Sequence, residues 1–288
     1  MQRKLHPLEG IVAIFALVFV LALTIGFAQA AEPKIKKVAL RSNAALVIDA
    51  ATGEVVIDKN GDAVTPIASI TKLMTAIVTL ESGLDLDAPV SVTREDVDMK
   101  KGSRSRLRTG ITLTRRELLL IALMASENRA AFALGRSYPG GTPAFVAAMN
   151  EMAAELQMGD THFVDPTGLS PENVSSARDL AKLVRAAHGY PLIREFSTRD
   201  KATVLLSGKQ KVNFHNTNGL VRNSRWEIGL SKTGYISEAG RCLVMQVRVA
   251  SKDLIVVLLD SWGKYSRVGD AQRIRKWVET TATAGTQS

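Results

Sequence analysis

Cysteine is almost missing from this chain. Cys242 is the only one among 288 residues, so no intramolecular disulfide can form and the core must hold the fold unaided. Cys242 itself sits in the apolar run Cys242-Leu243-Val244-Met245 and reads as a small buried core residue, not a nucleophile. Histidine is scarce too. The four, at 6, 162, 188 and 215, form no H-E-x-x-H or similar pair, which disfavours a zinc peptidase, and His215 reads as a structural imidazole. No metal and no cofactor is expected. The G-x-S-x-G nucleophile elbow is absent. Aromatic residues make up 5% of the chain and no recognition motif accompanies its dispersed basic residues, so nucleic-acid binding is disfavoured. There is no internal repeat and no interdomain linker.

What is present begins with an export signal. Arg3 and Lys4 precede an apolar run of 17 residues, Ile11 to Phe27, that ends in Ala28-Gln29-Ala30. This is the layout of a secretory signal with an A-x-A cleavage site, so residues 1–30 are set aside; an uncleaved anchor stays open, because the run is just short of a comfortable membrane span. Removing Arg3, Lys4 and Glu9 with the signal takes 37 Lys and Arg against 28 Asp and Glu to 35 against 27, a mature charge of +8. A basic protein outside the cytoplasm gathers near anionic polymers. The remaining 258 residues suffice for one large domain or two intimately packed halves.

The periodicity predicts a mixed α/β fold. Ala44 to Ile48 and Glu54 to Asp58 form a hairpin across Asp49-Ala50-Ala51-Thr52-Gly53, and Pro66 opens a helix that ends near Gly83. Thr114-Arg115-Arg116-Glu117 is a capping box ahead of the apolar run Leu118 to Met124. Thr142-Pro143, with Thr142 as N-cap and Pro143 at the first helical position, and Ser176 to His188, with Gly189 beyond it, mark two more helices. The runs Ile228 to Ile236, Arg241 to Ala250 and Leu254 to Leu259 suit an antiparallel meander, and a final helix is expected from Asp270 to Val278. Strands at both ends imply one sheet in which the hairpin joins the meander, with helices covering it. Met149, Met152 and Met158 read as core filling. The expected domains are a signal peptide, 1–30, a lead, 31–43, a catalytic domain, 44–280, and a disordered tail, 281–288.

A serine and a lysine three apart on a helix share a face, so Ser69 and Lys72 in Ser69-Ile70-Thr71-Lys72 can touch. The serine hydroxyl needs a base, and a lysine serves when desolvation or nearby positive charge lowers its pKa. A helix start also offers free N–H groups that could hold an oxyanion. The spacing alone is weak, since Ser261-Trp262-Gly263-Lys264 repeats it without a helical setting. Company strengthens it: Ser126-Glu127-Asn128 follows the Leu118 to Met124 run, and Lys232-Thr233-Gly234 follows within the meander. The look-alike Arg108-Thr109-Gly110 fails on order. Singly, each residue has a plainer role, Ser126 and Asn128 as helix caps, Lys232 as a solvated strand residue and Lys72 on an exposed helix face.

The ordered set S-x-x-K, S-x-N and K-T-G resembles the penicillin-interacting serine enzymes, which comprise cell-wall DD-peptidases and serine β-lactamases. The likeness runs from about Ala44 to Val278. Phe163 to Leu169 (FVDPTGL), Asn216 to Leu220 (NTNGL) and Leu230 to Tyr235 (LSKTGY) resemble the D-alanyl-D-alanine carboxypeptidase and endopeptidase family. Arg241 to Met245 and Leu259 to Tyr265 point to its endopeptidase branch, the penicillin-binding protein 7 type. The resemblance implies a DD-peptidase or serine β-lactamase-like fold with a helical subdomain. It implies Ser69 as acylated nucleophile, Lys72 as its base, and Ser126 as proton relay to the leaving amine. Asn128 would bind the substrate backbone, and Lys232 and Thr233 would face a substrate carboxylate. The N–H groups of Ser69 and Tyr235 would form the oxyanion hole, and Gly234 would let substrate lie against its strand. A network of Lys72, Ser126 and Lys232 sharing the proton stays open.

The implied activity is hydrolysis of D-alanyl to diaminopimelate cross-links in peptidoglycan, in cell-wall biogenesis and shape, by a periplasmic enzyme with β-lactams as covalent inhibitors and no nucleic-acid partner. Loose membrane association is left open. A β-lactamase is disfavoured because the E-x-x-L-N segment it would need is missing. Only 54 residues follow Gly234, too few for the extra β-domain and membrane-binding tail of many carboxypeptidases, which favours the endopeptidase. A carboxypeptidase, or a wall-binding protein without turnover on the same fold, are the alternatives.

Overall fold

The computed structural model describes residues 38–285 except 100 and 207–209, so the expected signal segment, 1–30, lies outside the described residues. In chain order the elements are β1 (Ser42–Asp49), β2 (Val55–Lys59), β3 (Thr65–Pro66), α1 (Lys72–Glu81), β4 (Pro89–Ser91), β5 (Thr112–Thr114), α2 (Arg115–Met124) and α3 (Asn128–Arg136). There follow α4 (Gly141–Glu155), β6 (Val174–Ser175), α5 (Ala177–His188), α6 (Pro191–Thr198), β7 (Lys201–Leu206), β8 (Gln210–His215), β9 (Glu227–Ile236), β10 (Gly240–Val249), β11 (Lys252–Ser261) and α7 (Ser266–Gly285).

The five-stranded sheet has the order β2-β1-β11-β10-β9, so the N-terminal hairpin does join the C-terminal meander, through the antiparallel pairing of β1 with β11. The reason is two-sided burial. Successive side chains of a strand point to opposite faces, and here both faces are covered. Leu46, Ile48, Val244, Val257 and Leu259 pack with Leu180, Leu183 and Val184 of α5. Ala45, Val47, Met245, Val256 and Leu258 pack with Ala271, Ile274 and Val278 of α7. A strand apolar on both faces reads as a continuous run, which is how Leu254 to Leu259 stands out in the sequence. Met149 and Met158 are buried as expected.

Boundaries expected from caps hold where a side chain does the capping. Thr114 Oγ1 accepts the Glu117 N–H at 3.1 Å while Glu117 Oε2 accepts the Thr114 N–H at 2.9 Å. Ser176 caps α5 through the Asp179 N–H at 3.2 Å. Three expectations are corrected. Pro66 does not open a helix but ends the short strand β3, and the first helical turn starts at Ala68. Thr142 is not an N-cap: Gly140, at φ +84°, precedes α4, and Thr142 lies inside its first turn. The last helix, expected over Asp270 to Val278, runs from Ser266 to Gly285, so residues 281–285 of the expected tail are helical. Thr281 Oγ1 is satisfied by the carbonyls of Trp277 and Val278.

Helix α7 is pinned to β1 by Asp270, which is fully buried. Its carboxylate accepts the Arg41 N–H at 2.9 Å, the Ser42 N–H at 2.7 Å and the Ser42 hydroxyl at 2.6 Å. Replacing it leaves buried donors unpaired. Asp270→Ala is expected to lower stability by about 2–4 kcal/mol in urea unfolding, and a loss below about 0.5 kcal/mol would contradict this account.

Candidate active site

Ser69 does not lie on the α-helix itself, as the spacing suggests, but in a 3-10 turn, Ala68–Thr71, that leads into α1 at Lys72. With three residues per turn, side chains at i and i+3 eclipse, so this turn aligns the pair more closely than an α-helix does. Lys72 Nζ donates to Ser69 Oγ at 2.8 Å. The turn is held from two sides by glycines of distant segments. A Cβ on Gly168 would fall 1.9 Å from the Ala68 carbonyl oxygen, and one on Gly234 would lie 2.9 Å from the Ile67 oxygen and 3.1 Å from the Ser69 nitrogen. The last glycine of K-T-G therefore does more than open its strand to substrate: it lets β9 press against the nucleophile turn. Ala68 adopts φ +49°, a left-handed conformation costing about 1–2 kcal/mol for a residue with a side chain. Thr71 Oγ1 caps that kink by donating to Ala68 O at 2.8 Å.

Lys72 is 1% exposed, which overturns the plainer reading of a solvated helix face. Its three donor positions are filled by Ser69 Oγ at 2.8 Å, Asn128 Oδ1 at 2.8 Å and the Thr167 carbonyl at 2.7 Å. Burial pushes its pKa down to about 7, against the pull of Asp165 and Glu127. The Thr167 carbonyl is presented by a loop wound around Asp165, whose carboxylate accepts the N–H groups of Thr167, Gly168 and Ser170 at 2.6, 2.8 and 2.9 Å. Asn173 fixes the loop from behind, accepting from Val164 N–H at 2.6 Å and donating to the Asp165 carbonyl at 3.0 Å.

Ser126-Glu127-Asn128 forms the elbow between α2 and α3. Ser126 is at φ +58° and Asn128 is the first residue of α3. Glu127 does the capping, accepting the Arg129 N–H at 3.3 Å, which leaves Ser126 and Asn128 free for the cleft. Ser126 Oγ accepts from Lys232 Nζ at 2.9 Å, and Asn128 Nδ2 donates to Ser103 Oγ at 2.9 Å. Lys232, on β9, is also 1% exposed, so it is not a solvated strand residue. Burial first, then the neighbouring charges of Lys72 and Arg267, pushes its pKa well below the usual amine range. Two buried amines thus face the two serines, Lys72 on Ser69 and Lys232 on Ser126. Carrying a proton on both at once is disfavoured.

These groups border one cleft of about 550 Å³, whose wall includes Ser69, Ser126, Asn128, Thr233, Gly234 and Tyr235. Lys72 and Lys232 lie beneath it. Thr233 Oγ1 donates to Thr217 Oγ1 at 2.6 Å, and Tyr235 is half exposed at the rim under the Arg241 guanidinium, 4.5 Å from the ring centre. Every residue singled out from the three motifs is therefore in or directly under the cleft. Others were missed. Arg267 of α7 reaches the wall and donates to the carbonyls of Gly234 at 3.0 Å and Cys242 at 3.2 Å. Lys101 and Ser103 come from the stretch before β5, and Lys101 pairs with Glu238 at the cleft mouth. That contact, with Ser237, holds the Glu238 carboxyl at about 2. Thr167 and Thr217 lie in two of the stretches that resemble the DD-peptidase family, and that was the one signal for them. Ser261 of the second S-x-x-K is buried against Ser42, with Oγ atoms 2.7 Å apart, far from any such cleft role. Among the described residues no group of three or more His, Cys, Asp or Glu could hold a metal.

The family described as D-alanyl-D-alanine carboxypeptidase, peptidase family S11, matches residues 28–263. The chain is 46% identical over 266 residues to the D-alanyl-D-alanine endopeptidase of Pseudomonas aeruginosa, spanning 90% of this chain and 86% of that one. It is 42% identical over 279 residues to the endopeptidase of the same description from Escherichia coli, spanning 93% and 88%. Among solved structures, the Streptomyces K15 DD-transpeptidase superposes with a TM-score of 0.78 at 28% identity, covering 84% of this chain and 98% of that one. The Mycobacterium tuberculosis D-alanyl-D-alanine carboxypeptidase does so at 0.76 and 25% identity, covering 86% and 94%.

The burial of Lys72 can be read directly. In NMR of the protein carrying isotope-labelled lysine, with Lys72→Arg to assign the signal, the Lys72 resonance is expected to titrate at about 7. A midpoint near the free-lysine value of about 10.4 would refute the low-dielectric site described above.

Proposed function

The chain belongs to the D-alanyl-D-alanine carboxypeptidase family of serine peptidases, and on that premise we propose that it hydrolyses D-alanyl to diaminopimelate cross-links of peptidoglycan through an acyl-enzyme on Ser69. It is a serine DD-endopeptidase: relatives of that description match 90% and 93% of the chain at 46% and 42% identity. The single observation that carries the mechanism is the 2.8 Å contact between a buried Lys72 amine and the Ser69 hydroxyl.

In this reading the neutral Lys72 amine takes the Ser69 proton as Oγ attacks the D-alanyl carbonyl. The N–H groups of Ser69 and Tyr235 hold the oxygen that becomes negative. Ser126 hands a proton to the departing amine and is replenished through Lys232, its 2.9 Å neighbour. Asn128 steadies both sides, accepting from Lys72 and facing the substrate backbone. The leaving residue's carboxylate is met by the Thr233 hydroxyl and by Arg267, while Lys232, being buried behind Thr233, supplies field and protons more than direct contact. Water then adds to the acyl carbonyl, giving its proton through Ser126 to Lys232, while Lys72 returns the first proton to the departing Ser69 oxygen, so that both serines and both amines are restored. A β-lactam enters by the same acylation, but its leaving nitrogen stays tethered and blocks the return path for water, which makes it an inhibitor.

In this reading the catalytic domain, expected over 44–280, takes in β1 from Ser42 and α7 to Gly285, behind a signal segment over 1–30, exported to the periplasm and acting on cross-linked wall peptides. Loose association with the membrane remains part of the proposal. Among the described residues no helix is long and apolar enough to cross a membrane.

Fluorescent penicillin is expected to label the protein covalently, and Ser69→Ala to abolish the label; an unlabelled parent protein would argue for a wall-binding role instead. Purified cross-linked muropeptides are expected to be cut to monomers, whereas release of free D-alanine with cross-links intact would favour a carboxypeptidase. Because Lys72 must be neutral to accept the proton, the labelling rate is expected to rise with pH through about 7 and to fall about tenfold per unit below it. A rate flat from pH 5 to 9 would remove Lys72 as the base.

A further inference from the structure

A carboxypeptidase and an endopeptidase attack the same carbonyl and differ in what departs. From a carboxypeptidase the leaving group is one free amino acid, which the cleft can hold whole. From an endopeptidase it is the amine of a second peptide, which must run out of the cleft beyond the carboxylate held at Thr233 and Arg267. The surface on that side is unusual. Tyr235 on β9 pairs in register with Arg241 on β10, Arg241 with Ser261 on β11, and Ser261 with Ser42 on β1. One end of the sheet therefore carries, in a row starting at the cleft, Tyr235, Arg241, the Ser261-Trp262 step and Arg41. Three strand spacings span about 14 Å, the length of about four extended residues.

This row is aromatic and cationic. Tyr235, Trp262 and Tyr265 are 56%, 78% and 71% exposed, three of the few large apolar side chains the protein leaves in solvent. Arg241 stacks over Tyr235 and Lys264 over Tyr265, at 4.5 and 5.5 Å from the ring centres. The row ends in a pocket of about 260 Å³ bordered by Arg41, Lys264, Tyr265 and Arg273. One Arg273 nitrogen, Nη2, pairs with Asp270, but Nε is buried and without a hydrogen-bond acceptor among the described residues. The acids close to the row are already engaged: Asp260 by Asn43 Nδ2 at 2.6 Å, and Asp270 by Ser42, Arg41 N–H and Arg273. Four cations, Arg41, Arg241, Lys264 and Arg273, stand against the two acids Asp260 and Asp270, so the row keeps a net positive charge, and with the unpaired Arg273 Nε it suits carboxylates.

We infer that this end of the sheet is the binding track for the leaving strand of the cross-linked substrate, an acidic peptide whose side-branch and terminal carboxylates meet Arg241 and the Arg41, Lys264 and Arg273 pocket while its backbone lies across Trp262. The inference rests on the endopeptidase reading and deepens it: the track gives affinity for a peptide leaving group and none for a single amino acid. It also gives the Leu259 to Tyr265 stretch a purpose, since Asp260 and Gly263, both at positive φ, turn the chain so that Trp262 and Tyr265 are left outside.

The test compares two reactions of the full-length protein. In Trp262→Ala and in Lys264→Glu, kcat/KM for a purified cross-linked muropeptide dimer is expected to fall about tenfold, chiefly through KM, and the Lys264→Glu deficit to shrink in high salt. Acylation by fluorescent penicillin, which occupies the cleft alone, should stay within about twofold in both. Dimer cleavage within about twofold of the parent in both variants would overturn the inference, as would a parallel fall in penicillin acylation, which would mean the residues merely support the fold. If the unsubstituted protein cuts no dimer, the endopeptidase reading falls and takes the track with it, an outcome distinct from the other two.

Discussion

The structure is organised around one costly arrangement, a lysine amine held in the interior against a serine hydroxyl. Moving the Lys72 pKa from 10.5 to about 7 amounts to a penalty on the order of 5 kcal/mol for the protonated amine. The sign follows from linkage. The unfolded chain binds this proton below about 10.5 and the folded chain only below about 7, so stability falls as pH drops through that window and is not regained below it. At neutral pH the fold carries nearly the whole cost, and Lys232 adds a second buried amine beside it. Such groups persist only where the surroundings over-determine them. Here the surroundings are three acceptors on Lys72 and a sheet buried on both faces, where each Val, Ile or Leu contributes about 1.5–3 kcal/mol.

The same over-determination explains the backbone. Ala68 in a left-handed conformation is strained, yet it is what tips Ser69 out of the helix and under the cleft. Gly168 and Gly234 press on it from the Asp165 loop and from β9, each at a distance no side chain would tolerate. The loop is rigid because Asp165 and Asn173 between them satisfy five of its backbone N–H groups. A position that must place a hydroxyl to within a few tenths of an ångström is thus built from three chain segments that are far apart in sequence.

That construction decides what the sequence could reveal. The sheet was legible because Leu46 to Ile48, Leu243 to Val247 and Leu254 to Leu259 are apolar on both faces, and α2 because Thr114 and Glu117 are a recognisable reciprocal cap. Ser69, Lys72, Ser126, Asn128, Lys232 and Thr233 were legible because they lie in three short motifs whose order carries a family resemblance. The third acceptor on Lys72 was not, because it is a backbone carbonyl and any residue at 167 would carry one. Arg267 was hidden because it lies 33 residues beyond Gly234 and reaches it only through the packing of α7 on the sheet. The start of α7 was misjudged for a related reason: its first turns carry no clear cap and are held by Asp270 reaching across to Ser42, a tertiary contact.

Burial also explains why the cleft uses two kinds of cation. Lysine loses its proton readily when desolvated: burial brings the Lys72 pKa to about 7 and holds that of Lys232, also 1% exposed, well below the usual amine range, so both are suited to accept and pass protons. Arginine under comparable pressure keeps its charge: burial and the neighbouring Arg241 lower the Arg267 pKa, but a guanidinium starts far above the range in which proteins work. Depth therefore sorts function. In the proposed mechanism the amines under the floor would manage the protons of the two serines, while guanidinium groups on the wall and along the sheet end would hold carboxylates in place. An arginine at 72 would keep its proton and could not serve as the proposed base. The choice of residue at each site is thus set by how far from water the fold holds it.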